Sequence, residues 1–334
     1  MPEPLFSVVI DNYNYGRFLG EAIESVLAQE FPGGETELIV VDDGSTDDSR
    51  RVIESFGARV AGVYQDNQGQ ATAFNNGIRR AQGRIVCLLD SDDFWRKDKL
   101  KKVAERFQRQ PELGAVQHYL QDVDLSRRSL ANPLPPWPES YGVEDFLDGR
   151  VPYTATSGLA YRRELLLEAL PIPKKLFYYL DDYLSTRALF SAPMGNLREV
   201  LGYHRVHGRN FCAQGLASAE KIEKDFFNRD IFRKEMEGWL RAFGKELSPK
   251  YLAIEALEIL RRRILLEAYR GNRLGAARAW LHGLRLHWRG PFGKFRLLTC
   301  ALAVLSPRLY VGLYDFYGRR RGLVTLRAHL FPER

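Results

Sequence analysis

The sequence predicts an α/β fold built on a mostly parallel, Rossmann-like sheet with flanking helices, followed by an all-helical C-terminal region. Three observations predict it. Short apolar, β-branched runs alternate with segments of helical period through the first third of the chain. Acid-rich clusters stand just after several of those runs, where open α/β sheets gather ligands at the carboxyl ends of their strands. From Leu216 onward the pattern is helical, interrupted only by Gly and Pro pairs.

Taken in order, Phe6 to Ile10 reads as the first strand, and Phe18, Ala22, Ile23, Val26 and Leu27 then recur at helical spacing. Glu37 to Val41 forms a second strand that runs into Asp42-Asp43-Gly44-Ser45, with Ser45 or Asp47 placed to cap the next helix. Val60 to Tyr64 is a third strand, Ala71 to Ala81 a helix, and Arg84 to Leu89 a fourth strand ending in Asp90-Ser91-Asp92-Asp93. Between Gly114 and Tyr161 the periodicity weakens. There the segment from Asn132 through Trp137 to Pro138 carries four prolines, which excludes helix and central strand and predicts a surface loop. An extended segment near Thr154 to Tyr161, a helix over Asp182 to Phe190 and a strand near Leu197 to Val206 follow. Breaks at Ser248-Pro249, Gly271-Asn272, Gly290-Pro291 and Ser306-Pro307 divide the remainder into helices. The expected division is a domain over residues 1–215, with halves at 1–115 and 116–215, and a basic helical region over residues 216–334.

Composition bounds the function. A chain of 334 residues with 45% hydrophobic and 27% charged residues is globular, not disordered. Its three cysteines, Cys87, Cys212 and Cys300, are too scattered for a disulfide framework or a metal knuckle, which fits a reducing, cytoplasmic compartment. The first residues have neither a basic segment nor an apolar run of signal-peptide length. A net charge of +7 suits nucleic acid, an anionic membrane or a phosphate-bearing substrate. Its distribution is uneven: acidic pairs punctuate the first half, and Arg and Lys crowd the region after about residue 220.

Asp90-Ser91-Asp92-Asp93 ends an apolar strand, so several carboxylates crowd one edge, which is costly without a cation. Mg2+ or Mn2+ takes such hard oxygen ligands together with substrate phosphates; the plainer alternative is a helix cap. Asp42-Asp43 ends another strand at the same edge, where a carboxylate can accept from a base N–H or a ribose hydroxyl, or simply shape a turn. Asp11-Asn12-Tyr13-Asn14 follows the first strand and could stack and hydrogen-bond a base.

The order of these clusters is more specific than any one of them. Ser7 to Asn14, Val41 to Asp47, Asn67-Gln68-Gly69 with Asn75-Asn76-Gly77 and Ala81-Gln82-Gly83, then Leu89 to Asp93 fall in one succession over about ninety residues. The chain closely resembles glycosyltransferase family 2. The likeness is specific over residues 5–110 and continues more loosely to residue 211, through Thr156-Ser157-Gly158, Asp181-Asp182 with Leu184 and Arg187, and Tyr203 to Asn210. It implies a glycosyltransferase-A fold, a nucleotide-sugar donor bound by the first half, a glycan, lipid-linked or other hydroxyl acceptor bound by the second, a divalent metal, and inversion at the anomeric carbon. By position, Asp11, Tyr13 and Asp43 would contact the nucleotide, Asp90 the ribose or metal, and Asp92 the metal, with Asp182 as general base. Asp11 stands where the family more often has proline.

A base on the acceptor side and a cation on the diphosphate side are what this displacement needs. Adjacent helical residues point about 100° apart, so only one of Asp181 and Asp182 can face the acceptor, and the resemblance favours Asp182. His207 could join the metal or the diphosphate, Arg205 and Arg209 could add positive charge, and His204 is expected to pack. Trp95 and Trp137 offer aromatic faces to an acceptor sugar or belong to the core, and Ser157 could wall the donor sugar.

The apolar run Leu297 to Leu305 is too short to span a bilayer, for which about 20 residues are needed. With Arg319-Arg320-Arg321 nearby, two readings of the tail stay open: peripheral contact with the inner face of a membrane, or packing and self-association. A non-catalytic assembly module would leave the acidic clusters unexplained, and nucleic acid is not an expected partner. A metal-dependent nucleotidyltransferase also uses strand-end carboxylates, but its Gly-rich loop is absent after the first strand. No GxGxxG opens the first helix, against a dinucleotide oxidoreductase.

Overall fold

The structure is a computed structural model that describes residues 4–31, 36–131, 134–208, 210, 216–287 and 293–318. Arg209, Cys212, the Gly290-Pro291 break and Arg319 to Arg321 lie outside the described residues.

The first half follows the expected alternation: β1 (Phe6–Asn12), α1 (Gly16–Leu27), β2 (Thr36–Asp42), α2 (Ser49–Ser55), β3 (Ala61–Tyr64), α3 (Gln70–Arg80), β4 (Ile85–Asp90), β5 (Phe94–Trp95) and α4 (Lys99–Arg109). Then come β6 (Ala115–Val123), β7 (Ser140–Tyr141), α5 (Val143–Leu147), β8 (Leu159–Arg162), α6 (Arg163–Glu168), α7 (Leu180–Leu189) and β9 (Met194–Arg205). The remaining described elements are all helices: α8 (Ala219–Phe243), α9 (Pro249–Tyr269), α10 (Arg273–His287), α11 (Gly293–Leu305) and α12 (Pro307–Gly318).

The strands form one sheet in the order β3-β2-β1-β4-β8-β6-β9-β5, with β7 added on β9. The run β3-β2-β1-β4 is parallel, as βαβ units demand, whereas β8 runs antiparallel to both β4 and β6, so the whole sheet is mixed. Register carries the site: Asp11 sits beside Asp90, and Asn12 beside Asp42, so consecutive strands end in polar residues at one edge.

The two faces have separate cores. Phe6, Val8 and Ile10 point to the layer of α1 and α4, while Val9, Ile39 and Val41 point to α3, the alternation expected of strands covered on both sides. The second core continues into Met236, Trp239 and Tyr251, so α8 and the start of α9 pack on the sheet domain across the expected boundary at residue 215. Helices α9 to α12 close a third core around Ile264, Leu265 and Ala303.

Two departures from expectation lie in the segment without clear period. β6 is a central strand, and its alternation is hidden because Gln117 and His118 are buried; Gln117 is satisfied by Asn196 Oδ1 at 2.8 Å and the Thr154 N–H at 2.9 Å. Trp137, expected on a surface loop, is 5% exposed and stacks on Tyr119 of β6 at 4.3 Å, so it is a core residue and not a wall of the acceptor cleft.

Candidate active site

The sheet edge at the ends of β1, β2 and β4 collects the acidic residues into one crevice. Asp11, the last residue but one of β1, lies next to Asp90 of β4; Gln70, at the start of α3, donates to Asp90 Oδ1 at 3.1 Å. Asp92 follows in the turn to β5, and its Oδ2 lies 2.9 Å from His207 Nε2. His207 is held there by stacking on Phe18 at 5.1 Å and by its backbone N–H, which donates to Asn210 Oδ1 at 2.9 Å. Residues 115 positions apart are thus brought together by the β5–β9 pairing, in which Phe94 stacks on Tyr203.

The electrostatics of this edge are those of crowded, buried carboxylates. Burial, and then the charge of Asp92, push the Asp11 carboxyl up to about 7. Burial also raises Asp90 well above the usual carboxylate range, with Asp11, Asp93, Asp92 and Asp181 adding repulsion. Asp11 Oδ1 is buried with no hydrogen-bond partner among the described residues. Such an orphaned acceptor is expensive unless something positive approaches it.

Other acidic residues of the same motifs take several protein donors. Asp93 is 1% exposed, accepts from Ser157 Oγ at 2.6 Å and from the Arg205 N–H at 2.9 Å, and is raised to about 7 chiefly by burial. Asp42 accepts from Asn12 Nδ2 at 2.8 Å, joining the ends of β1 and β2. Asp43 is 3% exposed and takes three protein donors, Gln65 Nε2, the Gln68 N–H and the Gly69 N–H, which fix the loop ahead of α3. Asp47 receives the Ser49 N–H at 3.0 Å and the Gly16 N–H at 2.9 Å, so the expected cap serves both α1 and α2. Tyr13 is 45% exposed on the lip beside this loop system.

Three of the residues expected to make contacts turn inward. Ser157 is fully buried: its Oγ accepts from the Asp90 N–H and donates to Asp93, a strut beneath the crevice in place of a wall of it. Trp95 is 4% exposed, with its indole N–H donated to the Ser157 carbonyl at 2.8 Å and the Lys99 amine 3.2 Å above its ring. Lys99 itself donates to the same carbonyl at 3.0 Å, and burial lowers its pKa to about 7. The Arg205 guanidinium is spent on Glu21 at 2.6 Å and on the Asp92 carbonyl at 2.9 Å, between the rings of Phe18 and Phe94. It braces the Asp92 backbone and offers no free charge to a diphosphate. His204, expected to pack, instead meets Asp122 Oδ1 at 2.9 Å.

On the opposite wall, α7 presents Asp181 and Asp182 in its first turn. The two diverge. Asp181 adds to the repulsion on Asp90, and burial raises its pKa. Asp182 is within electrostatic reach of Arg229, Tyr153 and Tyr251, on the side of the helical layer, and is raised to about 7 by burial and by Asp181. Sequence reasoning missed Asp93, Lys99 and Ser157 as one buried brace; only the position of Asp93 directly behind Asp92 hinted at it.

This arrangement has relatives. The family model described as Glycosyl transferase family 2 matches residues 7–169. An uncharacterized glycosyltransferase of Nostoc is 39% identical over 248 residues, covering 71% of this chain and 76% of that protein. A putative teichuronic acid biosynthesis glycosyltransferase of Bacillus subtilis, TuaG, is 43% identical over 107 residues, 31% of this chain and 42% of that one. The poly(ribitol-phosphate) β-N-acetylglucosaminyltransferase TarS of Staphylococcus aureus is 26% identical over 231 residues, 66% of this chain and 38% of that protein. Among solved structures, residues 1–349 of TarS in complex with UDP-GlcNAc superpose with a TM-score of 0.61 at 20% identity, covering 93% of this chain and 91% of that one. The mannosyltransferase PcManGT of Pyrobaculum calidifontis, in complex with GDP-Man and Mn2+, gives 0.52 at 18% identity, covering 92% and 87%. With the fold, the ordered strand-end carboxylates and a relative this similar over most of its length, the chain is a glycosyltransferase and belongs to glycosyl transferase family 2.

Proposed function

We propose that the enzyme moves a sugar, with inversion, from a nucleotide-diphosphate sugar to an acceptor hydroxyl, with Mn2+ or Mg2+ held at Asp92 and His207. The observation that carries this reading is the meeting of Asp92 Oδ2 and His207 Nε2, 2.9 Å apart, at the edge where Asp11 and Asp90 already crowd. Among the described residues no three acidic, His or Cys side chains are grouped around one point. That donor set nevertheless fits these ions, which commonly take one or two protein ligands and complete their shell with water and substrate phosphate oxygens. The orphaned Asp11 Oδ1 and the raised carboxyls of the edge favour a cation further. When bound, it would supply positive charge against the departing diphosphate.

The other residues then have distinct tasks. Tyr13 would stack on the base, Asp11 and Asp90 would meet the ribose, and Asp43 would hold the loop over residues 65–69 against the base with its one unused lone-pair site. The acceptor oxygen attacks the anomeric carbon, the bond to the diphosphate oxygen breaks, and the hydroxyl proton passes to a carboxylate of α7. Asp182 is the candidate by its position in the family pattern, and its surroundings by Arg229 and Tyr153 lie away from the strand-end carboxylates that face the diphosphate. The names of TuaG and TarS point to cell-surface glycan or glycoconjugate assembly as the setting.

The helical tail supports a peripheral contact with an anionic membrane. Between Glu267 and Asp315 the sequence holds eight Lys and Arg and no acidic residue. Leu274, Leu286 and Leu305 are 74%, 62% and 69% exposed within that stretch. Interleaved basic and exposed apolar residues match an anionic lipid surface. No described helix is long and apolar enough to cross a membrane.

The direct test is turnover of a panel of UDP-, GDP-, CDP- and dTDP-sugars with Mn2+ or Mg2+, scored as release of nucleoside diphosphate. One donor class should turn over and stop on chelation; no turnover of any donor, or turnover indifferent to chelator, contradicts the proposal.

A further inference from the structure

Asp92 and His207 stand 115 positions apart in sequence, and what fixes their meeting is a set of contacts behind them. Asp92 lies in the turn between β4 and β5, and its carbonyl accepts from Arg205 Nε at 2.9 Å. Arg205 is 3% exposed, its guanidinium lies 5.0 and 5.1 Å from the rings of Phe18 and Phe94, and its Nη2 meets Glu21 Oε2 of α1 at 2.6 Å. A guanidinium this deeply buried needs a carboxylate beside it, so Glu21 is what keeps Arg205 charged and pressed against the turn. The other Glu21 oxygen, Oε1, takes Arg127 Nη2 at 2.9 Å, so the carboxylate is engaged on both sides.

The histidine is held by a second device. Beyond β9 the chain reverses through Gly208, whose φ of 75° suits glycine, and Asn210 closes the turn. Its Oδ1 accepts the His207 N–H at 2.9 Å, and its Nδ2 donates to the Arg205 carbonyl at 2.6 Å. The same Nδ2 lies 3.4 Å from Asp92 Oδ2, the oxygen that His207 Nε2 approaches at 2.9 Å. The His207 side chain is fully buried against Phe18 and Tyr15, so a movement of this turn carries the ring with it. Arg205 belongs to both devices: its side chain holds the Asp92 carbonyl, its N–H donates to Asp93 Oδ1 at 2.9 Å, and its own carbonyl is held by Asn210.

We propose that Glu21 and Asn210 are positioning residues of the cation site: Glu21 holds Arg205 on the Asp92 carbonyl, and Asn210 holds the His207 turn against the Asp92 carboxylate. Groups behind a metal's ligands fix their orientation, and removing one typically costs about 10- to 100-fold in metal affinity. This rests on the reading of Asp92 and His207 as the cation's ligands given above.

The test uses the full chain and follows, by calorimetry, the binding of UDP and GDP with Mn2+ and with chelator in Asn210→Ala and Glu21→Gln, beside Asp92→Asn and His207→Ala. Asn210→Ala and Glu21→Gln should each weaken the Mn2+-supported binding about 10- to 100-fold, and raise by a similar factor the Mn2+ concentration that gives half-maximal turnover. Binding with chelator should stay within about twofold of wild type, because the nucleotide's own contacts are untouched. Glu21→Asp, which keeps the charge and shortens its reach, takes the place of Glu21→Gln if that variant does not fold. Mn2+-supported binding within about twofold of wild type in a variant, beside its loss in Asp92→Asn and His207→Ala, overturns the proposal for that residue. Equal weakening with Mn2+ and with chelator, alongside a lower melting temperature, also overturns it, since that marks a general structural role. Undiminished Mn2+-supported binding in Asp92→Asn and His207→Ala instead sinks the cation reading itself.

Discussion

Asp181 and Asp182 are neighbours with the same chemistry and opposite surroundings. The charge of Asp181 reaches Asp90 among the strand-end carboxylates, and that of Asp182 reaches Arg229 and the tyrosines of the helical layer. If Asp182 is the base, Asp182→Asn should reduce kcat by at least about 100-fold, the lower end of the general-base range, while Asp181→Asn retains measurable turnover. The pH profile gives a second reading. A raised carboxyl pKa means that the base is protonated, and idle, to a higher pH than a free carboxylate near 3.8 would be. The acid limb of kcat should therefore fall well above pH 4 and move toward lower pH in Asp181→Asn, where the repelling neighbour of Asp182 is gone. An acid limb at the ordinary carboxylate value in the wild type would contradict this. Helical spacing could bring this pair into view but not separate its members, because it says that they diverge and not toward what. The sequence likewise could not tell a diphosphate-binding arginine from Arg205, whose charge is consumed by Glu21, 184 positions away in sequence.

At the scale of elements, strands and helices with a clean period were legible in the sequence nearly to the residue, as with Phe6–Asn12, Gln70–Arg80 and the helices divided at Ser248-Pro249 and Gly271-Asn272. What was not legible was β6, where Gln117 and His118 face the interior and break the apolar alternation. Long-range partners such as Asn196 make Gln117 acceptable there, and no local pattern announces them. The fit of α3 on the sheet explains the glycine in Asn75-Asn76-Gly77. A Cβ at Gly77 would come within 2.3 Å of Val9 Cγ1 and 3.1 Å of Val41 Cγ2, and both valines are fully buried. Gly77→Ala should therefore destabilise the fold by about 1–3 kcal/mol through overpacking, despite alanine's better helix propensity. Urea unfolding checks this, and an unchanged or raised midpoint would show that α3 can shift without cost.

Across the whole molecule, charge and chemistry are segregated. The acidic edge lies on the sheet, and the stretch without acidic residues lies on the last helices, which share a core with one another and reach the sheet domain through α8 and α9. If that basic face meets lipid, the protein should co-sediment with phosphatidylglycerol-containing vesicles and not with phosphatidylcholine alone. Raising salt from 0.1 to 1 M, which shortens the screening length from about 10 to about 3 Å, should release it. Replacing exposed Leu274 and Leu305 by Glu should weaken binding without altering turnover on a soluble acceptor. Equal binding to both vesicle types, or binding to neither, contradicts a lipid-facing role.

The measurement that bears most directly on the reading of the crevice is calorimetric titration of UDP and GDP into the wild-type protein and Asp92→Asn, each with Mn2+ and with chelator. Wild type with Mn2+ should bind one of the nucleotides, and both chelator and Asp92→Asn should weaken that binding by at least about tenfold, 1.4 kcal/mol. Binding of equal strength in all of these conditions would mean that no cation at Asp92 grips the diphosphate.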